Sequence, residues 1–159
     1  MNYAERAEIV ARTAFAREWE QLAHTTRVVT QLHKLSEVTD EEVAVAWLHD
    51  VIEDSPVDYV DLVDMGFSRP IVDAVSYITR DGIYLQDYDA YKTRLFEASN
   101  RAGRMARRVK LADARENLER CKLAYGVPKW QRLADTRYAP LVAALEARLG
   151  LEGPGDRVG

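Results

Sequence analysis

Helical periodicity is the feature of this sequence that most constrains its fold. Apolar residues recur at three- and four-residue spacing in most segments, and no run shows the strict alternation of a half-buried strand. We therefore expect an all-α bundle with short connections. The pattern predicts helices over 4–22, 23–35, 57–65, 86–98, 102–124 and 136–149, together with one that leads up to Pro56 and one that begins after Ser68.

The length of 159 residues predicts one domain over 1–150, and the glycine-rich segment 151–159 is expected to be a disordered tail. No apolar run approaches the roughly 20 residues needed to cross a bilayer, and the first residues do not resemble a signal peptide. The single cysteine, Cys121, excludes an intramolecular disulfide and is expected to be a small core residue. These features favour a cytoplasmic protein without a membrane partner, and the net charge of -4 argues against nucleic acid. The oligomeric state stays open.

The segment 47–54 places four ionisable residues in an otherwise apolar helical run. On one helix, His49 would lie over Glu53, and Asp50 over Asp54. Imidazole and carboxylate are good ligands for a divalent metal, and the second acidic pair can position an attacking water. The alternative is a satisfied core histidine beside a solvated acidic helix end.

A second polar group lies in the predicted long helix over 102–124. Lys110, Asp113 and Asn117 are three and four residues apart, so they can share one face. The alternative for Asp113 is a surface carboxylate bonded to Arg115 or Lys110.

Two histidines and two aspartates can then form one site. His24 lies at the predicted start of the second helix, where alone it would be a capping or surface residue. Combined with His49, Asp50 and Asp113, it completes a ligand set that suits Mn²⁺, Fe²⁺, Zn²⁺, Co²⁺ or Mg²⁺.

These residues carry a family resemblance. A His-Asp doublet on a helix, an earlier histidine and a later aspartate resemble the H…HD…D pattern of the HD superfamily of metal-dependent phosphohydrolases. The segment 48–54 is similar to the HD-x-x-ED box in the hydrolase domain of the bacterial (p)ppGpp synthetase/hydrolases and their small single-domain relatives. The segment 109–113, followed by Asn117, is similar to the K-L-A-D-x-x-x-N segment of the same branch. The resemblance covers roughly residues 20–125.

The resemblance implies a single-domain HD-type helical bundle and a role for each motif residue. It implies metal ligation by His24, His49, Asp50 and Asp113, handling of the attacking water by Glu53 and Asp54, and substrate contact by Arg80, Tyr88, Tyr91, Lys110 and Asn117. Three alternatives stay open for the last group: core packing for the two tyrosines, a surface salt bridge for Arg80, and bracing of the site by Lys110 and Asn117.

The activity implied by the resemblance is metal-dependent hydrolysis of a nucleotide or nucleotide polyphosphate, of the (p)ppGpp pyrophosphohydrolase kind, with Mn²⁺ as the expected ion. The segment 17–23 lacks the basic, glycine- and proline-containing stretch that precedes the first histidine in the alarmone hydrolases, which argues against guanine specificity. Two alternatives are a non-catalytic HD-like nucleotide-binding or sensor module and a plain structural bundle. The complete ligand set favours the enzyme.

A run of basic residues precedes and follows Asp113 in the sequence. Part of it can face the site and receive phosphates, and the alternative is a solvated helix face. The run comprises Arg101, Arg104, Arg107, Arg108, Lys110 and Arg115.

Overall fold

Helices form all of the regular secondary structure in the part of the chain that the structure, a computed structural model, describes: residues 1–124 and 126–150. The predicted all-α fold is confirmed. The helices are α1 (Tyr3–Ala14), α2 (Trp19–Leu32), α3 (Asp40–Leu48), α4 (Val51–Asp54), α5 (Tyr59–Asp64), α6 (Arg69–Ile78), α7 (Tyr88–Glu97), α8 (Arg101–Leu123), α9 (Pro128–Leu133) and α10 (Ala139–Gly150). A 3₁₀ turn, Gly82–Leu85, precedes α7, and a π-helical turn, Ala134–Tyr138, joins α9 to α10. The predicted tail over 151–159 lies outside the described residues. None of the described helices combines the length and the apolar character needed to cross a membrane.

The long helix α8 is the centre of the bundle. It packs against α2, α3, α6, α7 and α10, while α1 covers α3. The start of α8 lies so close to the end of α7 that a Cβ atom at Gly103 would come within 2.4 Å of the Ala98 carbonyl oxygen. Glycine, which has no Cβ, allows this approach. The core around α8 also buries Cys121, as predicted.

The basic residues in the first half of α8 serve the core. Arg108 is buried and pairs with buried Glu42 at 3.0 Å. Buried Arg107 donates to the carbonyl oxygens of Leu95 and Ala98. Neither proposed role, phosphate binding or a solvated face, therefore holds for Arg107 and Arg108.

Local sequence signals place several helix ends correctly. Thr39 and Glu42 form the predicted capping box at the start of α3. Gly66 follows α5 with φ of +83°, a conformation that glycine adopts without a steric penalty.

Three predicted boundaries are wrong. The first two helices separate at 15–18 rather than at 22–23, because buried Phe15 anchors a turn that no glycine or proline marks. As a result His24 lies inside α2 rather than at a helix start. The helix predicted through 47–54 is interrupted at His49 and Asp50, between α3 and α4. The C-terminal helical segment begins at Pro128 rather than at 136, because proline occupies the first turn of α9.

Candidate metal centre and adjoining cavity

Four side chains from three parts of the bundle converge on one point. His24 comes from α2, His49 and Asp50 from the junction of α3 and α4, and Asp113 from the middle of α8. His24 Nε2 lies 3.0 Å from Asp113 Oδ1 and 3.7 Å from Asp50 Oδ2. His49 Nε2 lies 3.0 Å from Asp50 Oδ2 and 3.6 Å from Asp113 Oδ1. The structure thus brings together all four residues that the sequence suggested as metal ligands.

The imidazole of His49 is oriented by the helix that carries it. Its Nδ1 lies 2.7 Å from the carbonyl oxygen of Ala46, which can only accept, so Nδ1 carries the proton. The other nitrogen, Nε2, is buried and has no hydrogen-bond partner despite the two nearby carboxylates. A buried polar atom without a partner is uncommon in a folded protein. Nε2 faces the point where the four side chains meet. Although burial opposes its charge, the carboxylates of Asp50 and Asp113 raise the pKa of His49, so a proton on Nε2 competes with a metal for the same lone pair.

The imidazole of His24 is oriented by a residue that the sequence reasoning missed. Its Nδ1 donates to Glu116 Oε2 at 2.8 Å, and the other oxygen of Glu116 accepts from Arg27 Nε at 2.6 Å. A carboxylate behind a ligating histidine fixes the ring and increases its basicity. The signal available in the sequence was the spacing from Asp113 to Glu116, one helical turn on the same face.

The spacing of the four side chains fits a divalent cation. Two ligand atoms, each about 2.1 Å from one ion, lie about 3.0–3.4 Å apart at angles of about 90–109°. The four distances between imidazole nitrogens and carboxylate oxygens span 3.0 to 3.7 Å. One ligand atom each from His24, His49 and Asp50 also lies within 4.8 Å of the others. Asp113 is not part of that group of three, but its Oδ1 lies 3.0 Å and 3.6 Å from the two imidazole nitrogens.

The electrostatics of the site favour charged carboxylates. Although burial opposes its ionisation, Lys110 and the two imidazoles hold the pKa of Asp113 well below its usual range. Burial also opposes charge on His24, but its hydrogen bonds to Asp113 and Glu116 raise its pKa from 6.5 to about 8. Protons on the imidazoles therefore occupy the positions that a cation would take, and cation binding would release them.

Polar neighbours hold the two aspartates in place. Lys110 Nζ bonds Asp113 Oδ2 at 2.8 Å, and Asn117 donates to Asp113 Oδ1 at 3.2 Å. Gln21, which the sequence reasoning missed, donates to Asp50 Oδ2 at 2.8 Å. Lys110 and Asn117 therefore brace the site through Asp113, which was the alternative to substrate contact. Both side chains also line the adjoining cavity.

Glu53 and Asp54 lie next to Asp50 on the more open side of the site. One oxygen from each of the three carboxylates lies within 4.8 Å of the others. Glu53 also accepts a hydrogen bond from the backbone N–H of Arg80. Desolvation and the nearby Asp50 raise the pKa values of both Glu53 and Asp54. A carboxylate with a raised pKa is a stronger base, which suits proton transfer.

A cavity of about 330 Å³ opens onto this site. Among the predicted substrate residues, Tyr88 lines it, whereas Tyr91 is buried and donates its hydroxyl to the Ile78 carbonyl oxygen. The guanidinium of Arg80 donates to the carbonyl oxygens of Tyr84 and Leu85 rather than to a carboxylate, so it does not form the predicted surface salt bridge. Neither Tyr91 nor Arg80 belongs to the cavity wall. The wall consists of Gln21, His24, Asp50, Tyr88, Lys110, Asp113, Ala114, Asn117, Arg137, Tyr138 and Leu141.

Comparison of the sequence with protein-family models and with curated proteins found no match.

Proposed function

We propose that this protein is a metal-dependent phosphohydrolase that acts on a nucleotide or nucleotide polyphosphate, with Mn²⁺ as the first candidate ion. The observation that carries the proposal is the buried Nε2 of His49, which has no hydrogen-bond partner and lies among three further ligand-type side chains. The order of these residues in the chain, and their resemblance to the HD superfamily pattern, support the same activity.

A divalent ion in this position would polarise a phosphate oxygen and make water more acidic. The protein's own residues would do the rest. His24, His49, Asp50 and Asp113 would hold the ion, while the Gln21 and Glu116 contacts keep its ligands oriented.

Glu53 and Asp54 would handle the proton of the attacking water. As the water oxygen forms its bond to phosphorus, one of these carboxylates would accept the proton, and the P–O bond to the leaving group would break. The leaving oxygen then takes up a proton, so that the overall reaction consumes one water. Burial and the nearby Asp50 raise the pKa values of both Glu53 and Asp54, which makes either carboxylate a stronger base than usual.

Metal analysis combined with a substrate screen tests this proposal. Protein loaded with Mn²⁺ should hold about one ion per chain and release phosphate or pyrophosphate from at least one compound in a panel of nucleotides, deoxynucleotides and (p)ppGpp. Asp50→Ala should lose both properties while keeping its helix content. Asp73→Ala is the matched control, because Asp73 pairs with exposed Arg69 on α6, outside the site.

Two results would contradict the proposal in different ways. Absence of metal binding by the folded wild-type protein would refute the proposed metal centre. Stoichiometric binding of metal and nucleotide without any hydrolysis would contradict the enzyme and support the alternative, a non-catalytic sensor module.

A further inference from the structure

One residue outside the cavity wall contacts one of the two proposed bases directly. The backbone N–H of Arg80 donates to a carboxylate oxygen of Glu53. Glu53 is exposed, and an exposed glutamate is free to change rotamer unless a contact holds it. Within residues 1–124 and 126–150, the carboxylate of the neighbouring Asp54 has no hydrogen bond or ion pair. Of the two acidic residues, Glu53 is therefore the one whose orientation is fixed by a hydrogen bond.

The guanidinium of Arg80 holds the turn that follows it in the chain. Its Nε donates to the carbonyl oxygen of Tyr84 at 2.8 Å, and its Nη2 donates to that of Leu85 at 3.2 Å. These two carbonyls lie at the end of the 3₁₀ turn Gly82–Leu85, where a helical turn leaves its acceptors without backbone partners. Hydrogen bonds from a charged donor are about twice as strong as those between neutral groups. Arg80 thus links the turn to Glu53.

The hydrophobic core contributes little to the position of this turn. None of the residues in Gly82–Leu85 is buried, and Ile83 and Leu85 are 76% and 62% exposed. A segment with few buried apolar contacts opens easily unless polar contacts hold it. Arg80 supplies two such contacts, so its guanidinium is a main source of order in the turn.

Contacts on both sides fix Arg80 itself. The preceding residue, Thr79, is buried, and its hydroxyl donates to the Val75 carbonyl oxygen at 2.7 Å. The guanidinium carbon of Arg80 lies 5.0 Å from the centroid of the Tyr88 ring, which is a cation–π contact. Tyr88 lines the cavity, whereas Arg80 does not. Arg80 is therefore held between the core and the cavity wall, with its backbone N–H on Glu53.

We infer that Arg80 is a positioning residue for the reaction, because its guanidinium fixes the 3₁₀ turn and thereby keeps its backbone N–H on the Glu53 carboxylate. This inference rests on the proposed function and gives Arg80 an indirect role in place of the predicted substrate contact. Glu53 can take a proton from the attacking water only while its carboxylate faces the site. Loosening the turn should therefore slow the chemical step and leave substrate binding unchanged.

Amide hydrogen exchange, followed by NMR in protein without metal or substrate, tests the contact itself. Arg80→Met keeps the aliphatic part of the side chain and removes its donors. The amide at position 80 should exchange about tenfold faster in this variant, as expected when charge-assisted contacts are lost, and Arg80→Lys should retain part of the protection. Arg6→Met is the matched control, because Arg6 also donates to two consecutive carbonyl oxygens, those of Met65 and Gly66, and lies outside the cavity wall.

Steady-state kinetics of the Mn²⁺-loaded protein tests the role of Arg80 in the reaction. Arg80→Met should lower kcat about tenfold and leave KM within about twofold of wild type, and Arg80→Lys should recover part of the rate. In a Glu53→Gln background, Arg80→Met should change kcat by less than about twofold, because the group that Arg80 positions is no longer a base. Arg6→Met should leave kcat unchanged in both backgrounds.

Three results would overturn the inference. The first is an exchange rate at position 80 that Arg80→Met leaves unchanged, or that Arg6→Met raises equally. The second is a raised KM with an unchanged kcat, which would indicate substrate contact. The third is an equal loss of kcat with and without the Glu53 carboxylate. A protein that hydrolyses no compound in the panel contradicts the proposed function, whereas the exchange experiment still decides whether Arg80 holds Glu53.

Discussion

Glu116→Gln is the most informative change at the metal centre, because it leaves all four proposed ligands in place. Glu116 is buried, with one oxygen accepting from His24 Nδ1 and the other from Arg27 Nε. Glutamine keeps the shape of the side chain, but its NH₂ group must then face one of these two N–H donors. One of the two hydrogen bonds is therefore lost, and the other no longer ends on a charged acceptor.

The size of the effect follows from the surroundings of the two donors. The Arg27 side chain is 42% exposed, so water can replace its lost bond, whereas the His24 side chain is only 17% exposed. The amide oxygen therefore stays on His24, and the bond to it weakens from about 1.5–3 kcal/mol, typical of a charged acceptor, to about 1 kcal/mol, typical of a neutral one. Loss of a carboxylate behind a ligating histidine commonly lowers metal affinity about 10–100-fold. We expect the Mn²⁺ dissociation constant to rise about 10–100-fold.

Electron paramagnetic resonance of free Mn²⁺ during titration measures this change directly. Glu119→Gln is the matched control, because Glu119 is exposed on the same helix and has the same chemistry. Circular dichroism verifies that both variants keep their helix content. A folded Glu116→Gln protein whose Mn²⁺ affinity stays within twofold of wild type would refute the assigned role of Glu116 in orienting His24.

Three further predictions concern the proposed base, a buried ion pair of the core and the pH dependence of stability. Glu53→Gln should keep the metal stoichiometry and lower kcat about 10²–10⁴-fold, and a wild-type rate would exclude Glu53 as the base. Arg108→Met should lower the free energy of unfolding in urea by about 3–5 kcal/mol, because it removes the buried guanidinium that pairs with buried Glu42, and the double variant Arg108→Met/Glu42→Met should recover part of that loss. In protein stripped of metal by EDTA, the pKa of His24 is raised from 6.5 to about 8 by folding. The protonated imidazole therefore stabilises the folded state fully below pH 6.5, and this contribution declines as the pH rises through 8. His24 alone should make the unfolding free energy fall by about 2 kcal/mol over that interval. Mn²⁺-saturated protein should show the opposite trend. An unfolding free energy that does not change with pH in the stripped protein would contradict the contacts of His24 with Asp113 and Glu116.

The sequence predicts helices well where the determining contacts are local. The capping box of Thr39 and Glu42 and the positive φ of Gly66 depend on residues that are close in the chain. The turn after α1 depends instead on burial of Phe15 in the assembled core, and no local signal marks it. The interruption at His49 and Asp50 is also invisible to periodicity, because the apolar pattern continues across it.

The ligand set can be suggested from the sequence, but the contacts that orient it cannot. The resemblance to the H…HD…D pattern names four residues without specifying how their rings are held. Glu116 and His24 are separated by 92 positions, and Gln21 and Asp50 by 29. Such pairs become apparent only when α2, α8 and the α3–α4 junction are packed together.

The basic residues show why charge along a helix is a poor guide to ligand binding. From the sequence, the run on α8 is either a phosphate-binding face or a solvated one, yet Arg108 pairs with Glu42 and Lys110 with Asp113. Arg137 has no comparable sequence context, and the π-helical turn is what brings it to the cavity. A cation is available to a ligand only when no carboxylate or carbonyl already engages its donors. By that criterion Arg108 and Lys110 are not available to a ligand, although both lie on the helix that carries Asp113.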